Sequence, residues 1–443
     1  MVLRRATDCV VWRWLRGASR KSRALLVAML LLGLALRLVF APFSTGSDIV
    51  QFAGFAKTIQ RRGLCFYSYA AAFWEEAWPY NWPYLYGPVL AYILNLLAYV
   101  ATPSYTTFWL NSSYFAYASQ SWVLALKLVF IAFDTLVAVL LYMITRRVAL
   151  VALYYLNPAV IYISSIYGMF DQISLALLLA GLALLERRRL LLSGVLLALA
   201  LLTKQTMLFP LLGLALLLLI RYRGAFKGVA IGFMIGTLLV LSPIIAVCPA
   251  SFTGLRNTWY MLKPRYAEPI MYSFNGVTSV ATLLHKVYGV DTLWLIERWY
   301  MFTALLVVLP VLYTLRKGEL YINTALYYLL FTATYWGVNY QYLTPLIGLL
   351  AVAIAREERG YLKTLYAALA LYIGVWFFIF PVEWWFRAHI ENPNRVLLEA
   401  VKSISLNVYV DNYYAPYSLA LTVLECITLV LAMRSRSKHL LPL

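Results

Sequence analysis

The feature that most constrains this chain is a series of apolar segments, each about 15–25 residues long, that recurs from Ala24 to Met433. Helices of that length can span the hydrocarbon core of a bilayer. Hydrophobic residues make up 63% of the chain and charged residues only 12%, which excludes a soluble protein of this size. We therefore predict an all-α polytopic membrane protein, a single integral membrane domain over residues 1–443, with about 12–13 transmembrane helices.

Basic residues are distributed unevenly along the chain, whose formal net charge is +19. They collect in the N-terminal tail and in short links such as Arg146–Arg147 and Arg187–Arg189, whereas long loops at 43–83, 248–298 and 382–415 are nearly neutral. The positive-inside rule then places the short links and both termini in the cytoplasm and the long loops outside. We expect a multi-pass protein of the cell membrane or an endoplasmic-reticulum-type membrane, with no nucleic-acid partner.

The alternation of cytoplasmic links and outer loops fixes most of the spans. Residues 84–120 must cross twice or not at all, so either "SYTTFWLNSSYFAYAS" is a short span or one piece is re-entrant. Residues 190–220 begin and end at cytoplasmic arginines, which requires a break that we place at "TKQT". The predicted spans are 24–42, 86–101, 121–144, 148–164, 168–185, the two halves of 190–220, 228–247, 299–315, 320–337, 340–355, 361–381 and 416–433.

Several polar groups that are distant in sequence fall on the outer side in this topology. They are Asp48, Asp171, Lys204 and the segment 339–342. Ionisable groups at membrane depth are costly and usually line a cavity. The structural alternatives are that the two aspartates cap helices and that the lysine snorkels from a short helix to the interface.

The first outer loop begins with an amphipathic pattern. Apolar residues recur at helical spacing, which predicts a helix lying at the outer interface. These residues are Ile49, Phe52, Phe55, Ala56 and Ile59.

The same loop continues with aromatic residues, among them Trp78, Tyr80 and Trp82. They form either an aromatic belt at the interface or a surface on which sugars stack. Glu75–Glu76 is interpreted as solvated acids in preference to metal ligands. Because D-x-D, H-E-x-x-H and P-loop motifs are missing from the sequence, neither metal-bound nucleotide-sugar chemistry nor nucleotide hydrolysis is supported, and we expect no cofactor.

Two further pairs of residues have alternative interpretations. Lys127 and Asp134 lie on one face of the span 121–144, where they form a structural polar pair or line the cavity. Cys65 and Cys248 both lie in outer loops and could pair, while the spacing of the four cysteines fits no metal motif.

The segments "GSDIVQFAGFA", "YLYGP", "LNPAVIYISSIYGMFDQISLALLLA" and "SGVLLALALLTKQTMLFP", in that order, resemble GT-C glycosyltransferases. The nearest group is similar to mannosyltransferases related to PIG-V of GPI-anchor assembly. The resemblance covers 24–220 as the catalytic module, with an echo at "GVNYQYLTPLIG", and leaves 221–443 as more variable helices. "LYGP" departs from the more common "YPP" of that group.

The resemblance implies inverting transfer of a hexose, mannose in the group that is nearest, from a polyprenyl-phosphate donor to a glycan or lipid-linked acceptor. It also implies that this transfer takes place in the membrane, at its outer face. It assigns catalysis to Asp48, since an inverting transfer needs a carboxylate that accepts the acceptor's proton. Lys204, and secondarily Arg37, would bind the donor phosphate. The remaining predicted substrate-binding residues are Asp171, Gln172, Gln205, Asn339, Gln341 and Tyr342.

Two other functions fit a polytopic chain. A transporter or flippase for a lipid-linked sugar would be expected to show inverted repeats, and none is evident. A non-catalytic assembly subunit would not need Asp48. The one-sided long loops favour an enzyme.

Overall fold

The computed structural model describes residues 19–70, 78–80, 82–110, 113–259, 275–380, 382–404 and 411–435. The predicted cytoplasmic tails at both ends, most of the aromatic loop with Glu75–Glu76, and parts of the second and third outer loops lie outside these residues.

The first part of the chain forms one long helix and several short ones. Ser19 caps the long helix by accepting a hydrogen bond from the backbone N–H of Ser22 at 3.1 Å, which satisfies a free donor of the first turn. A 3₁₀ turn at Ala41–Phe43 follows it, and another at Gly63–Cys65 follows the second helix. The helices are α1 (Arg20–Phe40), α2 (Ser47–Arg62), α3 (Phe66–Ala70) and α4 (Pro88–Ala98).

Helix α2 confirms the predicted amphipathic helix, and its apolar stripe is buried throughout. Gln51 and Thr58, which are polar, are buried as well. The helix is therefore covered by protein on most sides over its first three turns and does not lie open at the interface, as the pattern alone suggested.

Residues 105–118 form an antiparallel β-hairpin, β1 (Tyr105–Leu110) and β2 (Ser113–Ala118), with Tyr105 opposite Ala118. Threonine and aromatic residues favour strands, and Phe108 stacks on Phe115 across the pair at 5.5 Å between ring centroids. The alternative of a short transmembrane span here is therefore wrong. Helix α4 has 11 residues, about 16 Å, which is too short to cross a bilayer.

The central part of the chain contains two breaks, of which only the one at Lys204 was predicted from the sequence. The bend after Tyr155 is 52°, where Asn157 caps a new turn that begins at Pro158 and continues as a π-helix over Tyr162–Tyr167. The second break is at Lys204, whose backbone is extended, followed by a 3₁₀ turn at Gln205–Met207. The helices are α5 (Gln120–Thr145), α6 (Val148–Tyr155), α7 (Pro158–Ile161), α8 (Asp171–Glu186), α9 (Leu190–Thr203), α10 (Leu208–Arg221) and α11 (Arg223–Val247).

The last part of the chain adds the helices that complete the core. Nearly every residue of its two central helices is buried, and a 3₁₀ turn at Tyr340–Tyr342 joins them. A further 3₁₀ turn covers Val382–Phe386. The helices are α12 (Ser251–Asn257), α13 (Val277–Tyr288), α14 (Leu293–Glu297), α15 (Trp299–Leu306), α16 (Val308–Arg316), α17 (Leu320–Thr334), α18 (Leu343–Arg356), α19 (Gly360–Ile379), α20 (Arg395–Ile404) and α21 (Asp411–Ala432).

The helical membrane architecture predicted from the apolar segments is confirmed. Among the described residues, five helical stretches are long and apolar enough to cross a membrane, and the bent pair formed by α6 and residues 158–167 would be a sixth. Shorter apolar helices of 10–17 residues occupy several of the other predicted spans. The half-helices on either side of Lys204 are two of these, which confirms the predicted break at "TKQT".

Candidate active site

The segments that were predicted to face outward meet at one end of the helices. Thr45, just before α2, donates its backbone N–H to the carbonyl of Trp385 at 2.8 Å. Gln205 donates to the carbonyl of Leu85 at 2.6 Å, which joins the "TKQT" break to the end of the first loop. The first loop, the third loop and the polar break therefore form one continuous surface.

Asp48 lies in the first turn of α2, where the backbone is held from two sides. Gly46 occupies the N-cap position and donates its N–H to the carbonyl of Tyr167 at 2.7 Å. A Cβ at position 46 would lie 2.4 Å from the Tyr167 ring, so only glycine allows this approach. The interpretation of Asp48 as the N-cap is therefore wrong, and its side chain is left to make other contacts.

The carboxylate of Asp48 accepts hydrogen bonds from two tyrosine hydroxyls. Tyr86 donates to Oδ1 at 3.0 Å, and Tyr167 donates to Oδ2. Burial raises the pKa of the Asp48 carboxyl, while the two hydroxyls and the positive charge of Lys204 oppose this shift. The result is a half-buried carboxylate, oriented by two donors, with a pKa above its ordinary value.

Both tyrosines precede a glycine that allows a close backbone approach. Gly168 has φ of +88°, and a Cβ there would lie 2.1 Å from Cδ1 of Ile49 in α2. A Cβ at Gly87 would lie 1.8 Å from the carbonyl oxygen of Leu202 at the end of α9. The two Tyr-Gly turns thus press against the elements that carry Asp48 and Lys204.

A second charged pair lies beside Asp48. Lys204 Nζ is 2.5 Å from Asp171 Oδ1, and the two side chains are 1% and 0% exposed. The predicted alternative in which Lys204 snorkels to the interface is therefore wrong. Asp171 is the first residue of α8, and Phe170 occupies the cap position before it. The alternative in which Asp171 caps this helix is therefore wrong as well.

Aromatic rings connect the two acidic groups. The Phe170 ring packs edge-on against Tyr86 at 5.1 Å, while the Lys204 ammonium lies 4.9 Å from its centroid. The same ammonium lies 4.6 Å from the ring of Tyr342. Asp48, Asp171 and Lys204 are close enough to influence one another electrostatically. They belong to one site.

The predicted polar neighbours are at the same place, with varied roles. Gln172 donates to the carbonyl of Met169 at 2.6 Å, and Asn339 caps the 3₁₀ turn by accepting from the N–H of Tyr340. Four buried oxygens at the site have no hydrogen-bond partner among the described residues: Asp171 Oδ2, Gln172 Oε1, Gln205 Oε1 and Gln341 Oε1. Unpaired buried acceptors are costly, so these atoms are candidate ligands for substrate hydroxyls.

Arg37 is placed differently from the prediction. Its guanidinium Nε lies 2.7 Å from Asp134 Oδ2 in a fully buried ion pair, and its NH1 donates to the carbonyl of Gly33 at 2.9 Å. A guanidinium whose charge is already compensated in the helix bundle is a poor phosphate ligand. This placement corrects the assignment of Arg37 to the donor phosphate and favours a structural role.

Lys127 does not pair with Asp134, although they share a helix. Its ammonium donates to the backbone carbonyls of Ser44, Ser165 and Ile166, the last two at 2.8 Å. These carbonyls belong to the turn before α2 and to the π-helix. Lys127 therefore links the segment that leads to Asp48 with the segment that contains Tyr167, and so helps to position both residues.

An aromatic pair lies beside Asp48 on the first loop. Tyr80 and Trp82 stack at 4.7 Å with an interplanar angle of 18°, and Trp82 is 43% exposed. Gln51, three residues after Asp48, accepts from the N–H of Tyr80 at 2.9 Å and donates to the carbonyl of Trp82 at 3.0 Å. The pair is thus held in a fixed position relative to α2.

No individual role was predicted from the sequence for three tyrosines of the site: Tyr86, Tyr167 and Tyr340. The available signal was the Tyr-Gly dipeptide, which occurs shortly before a helix in both "LYGP" and "IYGM". Tyr340 packs edge-on against Tyr167 at 5.2 Å between ring centroids. This contact could not be predicted from the sequence, because it depends on which turns of the fold lie against each other.

Comparison with known proteins identifies the class of the chain. The family model for glycosyltransferase family 87 matches residues 84–335, more than half of the sequence. The chain belongs to glycosyltransferase family 87. The matched part of this family 87 chain includes Tyr86, Asp171 and Lys204, and Asp48 lies before it. No curated protein matches the sequence.

ArnT from Cupriavidus metallidurans in the apo state is among the solved structures that are similar to this family 87 chain. The TM-score is 0.47 and the identity 13%, over 92% of this chain and 76% of that chain. Family membership and the helical membrane architecture identify a membrane glycosyltransferase of the GT-C type. This class favours sugar transfer over the transporter and assembly-subunit alternatives.

Proposed function

We propose that this family 87 enzyme transfers a hexose, by its PIG-V-like resemblance a mannose, from a polyprenyl-phosphate donor to a hydroxyl of a glycan or lipid-linked acceptor. Transfer would occur with inversion at the extracytoplasmic face. The observation that carries this proposal is the geometry at Asp48, a carboxylate held by two tyrosine hydroxyls beside a buried Lys204–Asp171 pair.

The chemical step assigns one role to each group. The acceptor oxygen attacks the anomeric carbon of the donor while its proton passes to Asp48, and the bond from that carbon to the phosphate oxygen breaks. Polyprenyl phosphate leaves with the bonding electrons. The raised pKa of Asp48 suits proton acceptance, because a more basic carboxylate takes the proton more readily. Tyr86 and Tyr167 orient the carboxylate for this step.

Lys204 would stabilise the phosphate as it leaves. Its ammonium is fixed by Asp171 on one side and by the Tyr342 and Phe170 rings on others, so little reorganisation is needed when charge develops. Asp171 is then a positioning residue, since it holds the ammonium in place. The Gln172, Gln205 and Gln341 oxygens would accept hydrogen bonds from sugar hydroxyls.

The acceptor would approach from the first loop. Trp82 is 43% exposed, and Gln51 holds its backbone close to Asp48. A pyranose ring can stack its C–H groups on an indole ring, which is the second of the two interpretations given to the aromatic loop.

An apolar groove supports a lipid-linked donor. It lies at the far end of α2, about 16 Å along the helix from Asp48, between α2, α4 and α11. Its lining is almost wholly apolar, and the lining residues include Ile59, Leu64, Phe66, Ala91, Tyr92 and Ile244. We propose that the prenyl chain of the donor occupies this groove with its phosphate end directed toward Lys204.

The proposal is tested by offering purified protein each donor class separately, with the candidate acceptors present. We expect turnover with polyprenyl-phosphate hexoses, mannose among them, and a product whose anomeric configuration is opposite to that of the donor. Turnover with nucleotide sugars alone, or a product that retains the configuration, would contradict the proposed donor or mechanism.

A further inference from the structure

Two cysteines meet on the surface formed by the outer segments, away from the catalytic groups. Cys65 ends the 3₁₀ turn after α2, and Cys248 follows the last residue of α11. Both are half-buried, and their thiols are in hydrogen-bonding contact with each other. The contact joins parts of the chain that are about 180 residues apart.

The surrounding backbone holds this contact in place. Ser251 donates to the carbonyl of Leu64 at 3.3 Å, one residue before the first cysteine. A Cβ at Gly254 would lie 1.8 Å from the carbonyl oxygen of Tyr67, so the backbone of α12 lies directly on that of α3. Ser68 donates to the carbonyl of Cys65 at 2.7 Å. The two thiols are therefore adjacent because packed segments bring them together.

A metal site is not a good interpretation of this pair. Among the described residues, no three His, Cys, Asp or Glu side chains lie close enough together to hold an ion. Catalysis is not a good interpretation either, since Cys65 follows Asp48 by more than four turns of helical chain. Two adjacent, accessible thiols on predicted extracytoplasmic loops are suited to oxidation.

We propose that Cys65 and Cys248 form a disulfide that fastens the end of α2 to the end of α11. The oxidant would be an oxidised dithiol of the extracytoplasmic compartment. The thiolate of Cys248 attacks one sulfur of that disulfide and forms a mixed disulfide, and the other sulfur of the oxidant leaves as a thiolate. The thiolate of Cys65 then attacks the Cys248 sulfur and displaces the second sulfur of the oxidant. Two protons are lost from the cysteines, and two electrons pass to the oxidant, which leaves as a dithiol.

The order of attack follows from the environment of each thiol. Hydrogen bonds from Cys65 first, and then from Ser251 and Ser68, lower the pKa of the Cys248 thiol. Contact with Cys248 raises the pKa of the Cys65 thiol. Cys248 is thus the more readily formed thiolate and acts first.

The full-length protein tests this directly. It is isolated without reductant from cells with an oxidising extracytoplasmic compartment, blocked with N-ethylmaleimide, digested and analysed by mass spectrometry. We expect a linked peptide pair containing both residues, while Cys426 in α21 is alkylated and serves as the control thiol. Alkylation of Cys65 and Cys248 in most molecules of unreduced protein would overturn the proposal.

Single substitutions separate a disulfide from mere proximity. Cys65→Ser should make Cys248 reactive toward maleimide, and Cys248→Ser should do the same for Cys65. Dithiothreitol should lower the thermal midpoint of the wild type and leave that of the double Cys65→Ser, Cys248→Ser variant unchanged. An equal effect of dithiothreitol on both proteins would contradict the proposal. None of these readouts depends on sugar transfer, so the outcome is independent of the proposed function.

Discussion

The ammonium group of Lys204, at the break that separates α9 from α10, donates a hydrogen bond of 2.5 Å to the carboxylate of Asp171, the first residue of α8. Both groups are almost completely removed from solvent. A buried pair of this kind is compensated only while both partners are present, and removing one of them leaves an isolated buried charge. The pair therefore links the stability of the break to the chemistry proposed there.

Lys204→Met should lower both stability and donor use. The unpaired Asp171 should cost about 3–5 kcal/mol of unfolding free energy, and loss of the phosphate contact should reduce kcat/KM at least about tenfold. Lys204→Arg should recover part of the activity. The double variant Lys204→Met, Asp171→Asn should regain stability without regaining activity. Thermal unfolding and donor turnover measured on the same samples separate the two effects, and full activity in the double variant would refute the phosphate role.

Much of the fold could be predicted because apolar length and charge placement are local signals. The amphipathic pattern predicted α2, which carries Asp48. The cytoplasmic arginines on both sides of residues 190–220 predicted the break at "TKQT", which carries Lys204. The hairpin at residues 105–118 was not predicted, because a short run of aromatic and threonine residues suits a short span as well as a strand. The partner of Arg37 is 97 residues away, and such pairing between helices leaves no local trace.

Removing a hydroxyl that hydrogen-bonds to Asp48 should shift the pH dependence of transfer. Asp48 acts as base only when ionised, so activity falls as the pH drops through its pKa, which burial already raises. Tyr86→Phe or Tyr167→Phe removes a donor to the charged form, raises this pKa further, and should move the acidic limb up by about one pH unit. Tyr366→Phe, whose hydroxyl has no partner among the described residues, is the matched control. A limb that stays in place in both site variants would contradict the proposed base.

Gly168→Ala should destabilise the protein and reduce activity together. The left-handed φ of +88° and the 2.1 Å approach to Ile49 leave no room for a methyl group, at a cost of about 1–3 kcal/mol. Gly360→Ala, where no atom lies within 4 Å of the added carbon, should be neutral or slightly stabilising. Thermal midpoints of the two variants make the comparison, and equal midpoints would argue against a tightly packed Tyr-Gly turn.

Filling the apolar groove should affect only donors with long lipid chains. Ala91→Trp places an indole in the groove, and kcat/KM for a long-chain donor should fall about tenfold or more, a change of about 1.4 kcal/mol. A short-chain donor should be used nearly as well as by the wild type. Leu96→Trp is the control, because Leu96 is 67% exposed on the same helix. Equal losses for both chain lengths would place the lipid elsewhere.

The most direct measurement of the central claim is the turnover number of Asp48→Asn with a polyprenyl-phosphate hexose. Asparagine keeps the shape of the side chain and can still bond to Tyr86 and Tyr167, but it cannot accept the acceptor's proton. We predict a fall in kcat of about 10²–10⁴-fold, with the thermal midpoint and donor affinity unchanged. Turnover within a few-fold of the wild type would show that Asp48 is not the base and would contradict the proposed mechanism.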